Sequence, residues 1–329
     1  MDKDFKSHYK ELLNLVEEKI QNYIKITEPK VLYEPYNYIM SIGGKRIRPL
    51  LTMISCGAIN QNPTDALDAA VSMEILHNFT LVHDDIMDKS PMRRGNPTVH
   101  TKWDEPIAII TGDVMVGSAY KLLGCYKNHK NFARILEAFT EALIEVCEGQ
   151  ALDMEFNSRK DVTIDNYLQM IEKKTAKLLE SCVLLGGSIA GGNDWELEAL
   201  YNYAKYLGIG FQIQDDLLDL TANQAKLGKK IGQDIIEGKK TFLIIKSLEL
   251  AEKSEDRELL NLFYEKKGLD ESYIPKFNEM LNRLGVFVES KKLAGLYFNQ
   301  SLESLSGLKD NHYVQMLAWV TDSLRDRSY

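Results

Sequence analysis

The chain has 329 residues, 44% hydrophobic and 27% charged, enough apolar material for a substantial core in one large domain or two ordinary ones. Its net charge of −8 argues against nucleic acid as the main partner. The opening MDKDFKSHYKELL lacks the apolar core of a secretory signal, no run approaches the ~18 apolar residues of a membrane span, and Cys56, Cys125, Cys147 and Cys182 are scattered without a CxxC, so they read as small buried thiols in a cytoplasmic protein.

Seven of the eight prolines fall by Pro106, and none lies between Ile107 and Ile274. Such a stretch, with apolar residues three and four apart and no β alternation, predicts an all-α fold. Residues 4–26 read as an amphipathic helix through Phe5, Tyr9, Leu12, Leu13, Val16, Ile20 and Tyr23, with a short helix ending at Ile42. Asp65 to Asp88 reads as one helix that is apolar around most of its girth, hence central and buried. Further helices are predicted near 107–126, 131–156, 165–190, 195–220, 240–252, 256–266, 271–283, 288–305 and 311–325. The candidate linkers (157–162, 221–239 and 307–310) are short and charged, and residues 1–329 read as a single domain.

The helix at 65–88 ends in a DDxxD pattern, Asp84, Asp85 and Asp88, followed by Arg93 and Arg94. Asp84 and Asp88 share a helix face and repel each other unless a divalent cation lies between them. Oxygen ligands without His or Cys select magnesium or manganese, and the arginine forks suit phosphate. One such pattern would arise by chance in about one chain in ten of this length, but a second copy, Asp215, Asp216 and Asp219, follows in GFQIQDDLLD. Both copies sit in apolar surroundings, unlike a solvated acidic face.

Basic and polar groups complete the inventory. In GGKRIRP, Lys45 and Arg48 stand three apart at a helix start, where glycines and the helix dipole favour an anion. His77 lies two turns before Asp84 on the same face; a lone histidine in an apolar helix is more often a core residue, and only this register favours a site. Gln150 and Asp153 share a face, as do Lys174 and Lys177 beside Thr175, and Gln212, Asp215 and Asp219 form a stripe. Lys229, Lys230, Lys239 and Lys240 crowd GKKIGQDIIEGKKT. Carboxylate pairs for divalent ions, basic clusters and an apolar interior suit a substrate with a diphosphate head and a hydrocarbon tail.

The ordered motifs GGKRIRP, HNFTLVHDDIMDKSPMRRGNPTVH, GDVMVG, EGQALDMEF, EKKTAKLL, GFQIQDDLLDL and GKKIGQDIIEGKKT resemble those of the trans-isoprenyl diphosphate (polyprenyl) synthases over roughly Ile39 to Thr241. The resemblance implies an isoprenoid-synthase helical bundle around a central cavity, usually a homodimer, with the two aspartate motifs facing across it and three Mg2+ ions, replaceable by Mn2+. By position it implies metal ligation by Asp84, Asp88 and Asp215, supported by Asp85, Asp216 and Asp219. Lys45, Arg48, His77 and Arg94 would bind isopentenyl diphosphate. Arg93, Lys174, Thr175, Gln212, Lys229 and Lys239 would bind the allylic diphosphate (dimethylallyl, geranyl or farnesyl), with Lys174, Thr175 and Gln212 near the carbocation.

Phe79 and small Thr80, one turn before Asp84, would set product length. One aromatic there resembles the twenty-carbon geranylgeranyl makers more than farnesyl makers with two. A longer-chain synthase and a non-catalytic helical partner subunit are the alternatives; the second is disfavoured because both aspartate motifs are intact. A terpene cyclase would leave Lys45 and Arg48 without a purpose.

Overall fold

A computed structural model describes residues 2–25, 27–221 and 231–327. Sixteen helices are described: α1 (Asp2–Tyr23), α2 (Lys30–Ser41), α3 (Ile47–Asn60), α4 (Leu67–Met87), α5 (Val99–Lys102), α6 (Glu105–Leu123), α7 (Phe132–Phe156), α8 (Ile164–Ile171), α9 (Lys177–Ile189), α10 (Asp194–Thr221), α11 (Gln233–Glu237), α12 (Phe242–Leu250), α13 (Ser254–Lys266), α14 (Ile274–Arg283), α15 (Val286–Ser304) and α16 (His312–Arg325). The fold is all-α. Local signals start several of them. Asp104 accepts from the Ile107 amide (2.8 Å) ahead of α6, with Pro106 in its first turn. Thr163 and Asn166 form a reciprocal capping box on α8.

The sequence expectations differ from the structure at five places. A minimal antiparallel ladder, β1 (Met92–Arg93) with β2 (Asn96–Pro97), folds the basic segment back after α4; Arg94 and Gly95 make its turn at φ 52° and 75°. The helix expected over 165–190 is interrupted by a π-turn, Glu172–Ala176. The expected linker 221–239 contains α11. Cys125 and Cys147 are exposed, whereas Cys56 and Cys182 are buried, and none of the four forms a disulfide. Glu105–Tyr126 is, by length and composition alone, apolar enough to cross a membrane; its inner face packs on α4, as a core helix does.

The chain folds into two compact units, residues 1–144, 178–204 and 302–320, and residues 145–177, 205–301 and 321–329. Each draws on three separate stretches of sequence, so no compositional boundary marks them.

In the first unit α4 is central. Ala69 to Leu76 are all buried, including Glu74, and α3 and α6 flank the helix. Close backbone approach sets this packing. A Cβ on Gly186 of α9 would fall 2.1 Å from the Thr52 carbonyl oxygen of α3, and one on Gly112 of α6 would fall 2.2 Å from His83 Nε2 of α4. The second unit has an aromatic core of Tyr167, Phe263, Phe277 and Phe298. Phe263 and Phe277 meet edge to face at 5.8 Å, and the buried Lys240 ammonium lies 4.4 Å from the Phe263 ring.

The α3–α9 contact predicts that Gly186→Ala, which forces backbone apart, destabilises the protein by about 1–3 kcal/mol. Chemical denaturation would read this as a lower midpoint with an unchanged slope.

Candidate active site

In the first unit a glycine turn and α4 bring four of the expected residues together. Gly43 and Gly44 (φ 79° and 154°) precede Lys45. A Cβ on Gly44 would lie 2.6 Å from Arg94 Nη1, so the bare glycine makes room for that guanidinium, which donates to the Gly43 carbonyl. Arg48 Nη1 lies 3.1 Å from His77 Nε2. Among the described residues Arg48 Nε and His77 Nδ1, both buried, find no hydrogen-bond partner. Buried polar atoms of this kind are met by a water, an ion or a polar ligand. Burial first, then Arg48, Arg94, Arg93 and Arg46, push the His77 pKa well below its ordinary value, so the imidazole is neutral at physiological pH.

The first aspartate motif divides its duties. Asp84 and Asp88 are half-buried, and Asp88 caps the end of α4. Asp85 is 1% exposed and is forked by Arg93, whose Nε lies 2.9 Å from both carboxylate oxygens. Burial raises the Asp85 carboxyl pKa against the opposing pull of Arg93. Phe79 is buried, edge-on to His83 at a centroid distance of 4.7 Å, and the Thr80 hydroxyl donates to the His77 carbonyl (2.8 Å).

In the second unit the π-turn presents Lys174 and Thr175. A Cβ on Gly149 of α7 would fall 2.3 Å from the Lys174 amide nitrogen, and one on Gly208 of α10 would fall 2.5 Å from Ala176 Cα. Two glycines therefore clamp the extra residue of the π-turn, a feature often found at functional sites. Lys174 Nζ donates to Asp153 (2.6 Å). Burial acts to raise the Asp153 carboxyl, but Lys174 and Lys239 overcome it and hold the group below the ordinary carboxylate range. Lys239 also pairs with Glu237 (2.9 Å).

The Thr175 hydroxyl donates to Gln212 Oε1 (2.8 Å), Gln212 Nε2 donates to Asp216 (2.7 Å), and the Tyr167 hydroxyl donates to the other Asp216 oxygen (2.6 Å). An ionised Asp216 only accepts, and in that form the Gln212 amide nitrogen faces it while the amide oxygen faces Thr175. Burial raises the Asp216 pKa to about 7, although Tyr167 and Gln212 oppose it. Asp219 is buried and accepts from the Asp234 amide (3.2 Å), tying α10 to α11. Asp215 is half-buried and pairs with Arg327 (2.9 Å).

Lys229 and Lys230 lie outside the described residues. Tyr167, Arg46, Glu74 and Arg327 were not expected in either cluster. The legible cue for Glu74 was a lone charge in SMEILHNF; Tyr167 carries no local signal, because its partner is 49 residues away.

Among the described residues no three His, Cys, Asp or Glu side chains are already gathered as a metal cage. The donors nonetheless fit magnesium. Asp84 and Asp88 are hard oxygen ligands one turn apart, and magnesium takes most of its shell from water and phosphate rather than from an all-protein cage.

Helices throughout, two carboxylate clusters suited to hard cations and cationic clusters with buried donors are what a protein acting on phosphorylated substrates would need. The polyprenyl synthetase profile matches residues 29–281. A short chain isoprenyl diphosphate synthase of Methanocaldococcus jannaschii is 42% identical over 80% of this chain and 79% of its own. A geranylgeranyl diphosphate synthase of Methanosarcina mazei is 36% identical over 95% of each. The crystal structure of geranylgeranyl pyrophosphate synthetase from Pyrococcus horikoshii superposes with a TM-score of 0.90 at 34% identity, covering 99% of both chains. The chain belongs to the polyprenyl synthetase family and is a prenyltransferase.

Two predictions follow from these geometries. Gly149→Ala, which drives a methyl into the π-turn, lowers prenyltransfer at least tenfold in a steady-state assay. Gly295→Ala, at a helical position of the same unit where a Cβ meets nothing within 4 Å, leaves the rate unchanged. Folded His77 resists protonation while the unfolded chain takes a proton near its ordinary value of about 6.5. Stability is therefore lost as pH falls below that value, and His77→Gln reduces the loss. Melting temperatures between pH 7 and pH 5 read the difference.

Proposed function

We propose that the chain condenses isopentenyl diphosphate head-to-tail with an allylic diphosphate, releasing diphosphate and giving a short all-trans product, geranylgeranyl diphosphate in preference to farnesyl diphosphate. The observation that carries the reading is the meeting of Arg48, His77 and Arg94 at the Gly43–Gly44 turn, with buried donors of Arg48 and His77 unpartnered. The relatives from Methanocaldococcus jannaschii and Methanosarcina mazei, named as isoprenyl and geranylgeranyl diphosphate synthases, point the same way. On this reading Lys45, Arg48, His77 and Arg94 hold isopentenyl diphosphate. Neutral His77 serves as a hydrogen-bond donor rather than a charge.

Arg93, Lys174, Gln212, Lys229 and Lys239 hold the allylic diphosphate. Asp84, Asp88 and Asp215 hold magnesium, three ions by family resemblance, and the metal supplies charge neutralisation for the departing diphosphate. Asp215 is taken over from Arg327 as the site loads. Asp85 keeps Arg93 oriented, Asp216 keeps Gln212 oriented, and Asp219 holds α11 to α10. The oxygens of Thr175 and Gln212 lie beside the developing allylic cation, and apolar walls exclude water from it. The alkene attacks and the released diphosphate accepts the proton, so no protein nucleophile takes part.

Residues 1–329 act as one cytoplasmic synthase domain. The exposed isoleucines of α6, Ile109 (42%) and Ile110 (45%), support a homodimer that covers them.

Labelled isopentenyl diphosphate offered with dimethylallyl, geranyl and farnesyl primers gives mainly a twenty-carbon product by chromatography. No incorporation with any primer and Mg2+ would overturn the reading in favour of a non-catalytic partner. Phe79→Ala lengthens the product by at least one five-carbon unit; an unchanged product removes Phe79 from length control and leaves the longer-chain alternative open.

A further inference from the structure

Arg46 stands between Lys45 and Arg48 but turns away from both. It is 3% exposed and occupies the cap position of α3 in the left-handed region (φ 47°, ψ 37°). Its guanidinium reaches three helices. Nε donates to Glu17 of α1 (2.8 Å), Nη1 to Glu74 of α4 (2.7 Å) and Nη2 to the Met40 carbonyl of α2 (2.7 Å). Glu74 is itself 2% exposed, and the same oxygen accepts from Asn78 one turn on (3.0 Å).

A buried ion pair is poor evidence of stabilisation, since matched apolar side chains commonly do as well or better. A left-handed arginine adds backbone strain. Both features become intelligible from what they join. Glu74 lies three residues before His77 on α4, and Arg46 lies two residues before Arg48. Their contact fixes the reach between those two side chains. Glu74 also places a negative charge behind Arg46, Arg48 and Arg94, whose mutual repulsion would otherwise spread them.

We infer that Arg46 and Glu74 form a buried strut of positioning residues that sets the geometry of the isopentenyl diphosphate site without touching the ligand. The inference rests on the function proposed above. Its test is the double variant Arg46→Met with Glu74→Leu, which leaves no buried charge unpaired. The variant retains a melting temperature close to wild type, while KM for isopentenyl diphosphate rises at least tenfold and KM for the allylic primer stays within twofold.

Should the double variant fail to fold, Glu74→Gln carries the test, because it keeps the shape and removes the charge. A fivefold or greater rise in KM for isopentenyl diphosphate alone then supports the strut. Unchanged KM values in a folded variant, or equal rises for both substrates, overturn it. A wild-type enzyme that does not turn over isopentenyl diphosphate overturns the functional reading and the strut together.

Discussion

Charge held inside an apolar frame is the constraint on which this structure depends. On the proposed reading the site must collect like charges that repel each other, and must keep them collected when no ligand is there to neutralise them. The protein meets this with internal counter-charges. Asp85 is forked by Arg93, Asp153 takes Lys174, Asp215 takes Arg327, and Arg46 lies on Glu74. These pairs differ in burial, and burial separates their roles. Arg46 and Glu74 are both almost fully enclosed, so breaking either alone would strand a charge. Asp215 and its arginine are partly open, so exchange of that arginine for an ion carries a far smaller desolvation penalty.

The same logic reads the two aspartate motifs as unequal in their parts. In each, the middle aspartate is buried and already spoken for, Asp85 by Arg93 and Asp216 by Tyr167 and Gln212. The outer positions divide further. Asp84, Asp88 and Asp215 are half-buried, whereas Asp219 is buried and accepts from the backbone of α11. Buried carboxylates that accept from donors of fixed geometry hold orientation, and half-open ones exchange ligands.

Much of this was legible in the sequence. Proline-free apolar periodicity marked the helices, and two DDxxD patterns in apolar settings marked the candidate sites. Reading i, i+4 positions also placed Asp84 and Asp88 on one face. What was not legible depends on contacts between distant residues. The π-turn at Glu172–Ala176 follows from Gly149 and Gly208 on other helices, which no local pattern announces. Arg46 looked like one more basic residue in GGKRIRP, because only the fold shows it turned inward. The ladder at Met92–Pro97 is too short for strand periodicity to register.

Length control, on the proposed reading, involves more than the bulk of one aromatic. Phe79 is braced edge-on by His83, and the His83 ring occupies the space where a side chain on Gly112 would begin. His83 Nε2 also lies 3.2 Å from the Ile109 carbonyl oxygen, fastening the ring to α6. The phenyl group is thus held by a chain of contacts that starts in a neighbouring helix and ends beside the first aspartate motif. A residue able to swing aside would block a growing hydrocarbon only part of the time and would give mixed products. A clamped one gives a definite stop. On that reading Gly112 belongs to the floor of the hydrocarbon path as much as Phe79 does, although it lies on a different helix.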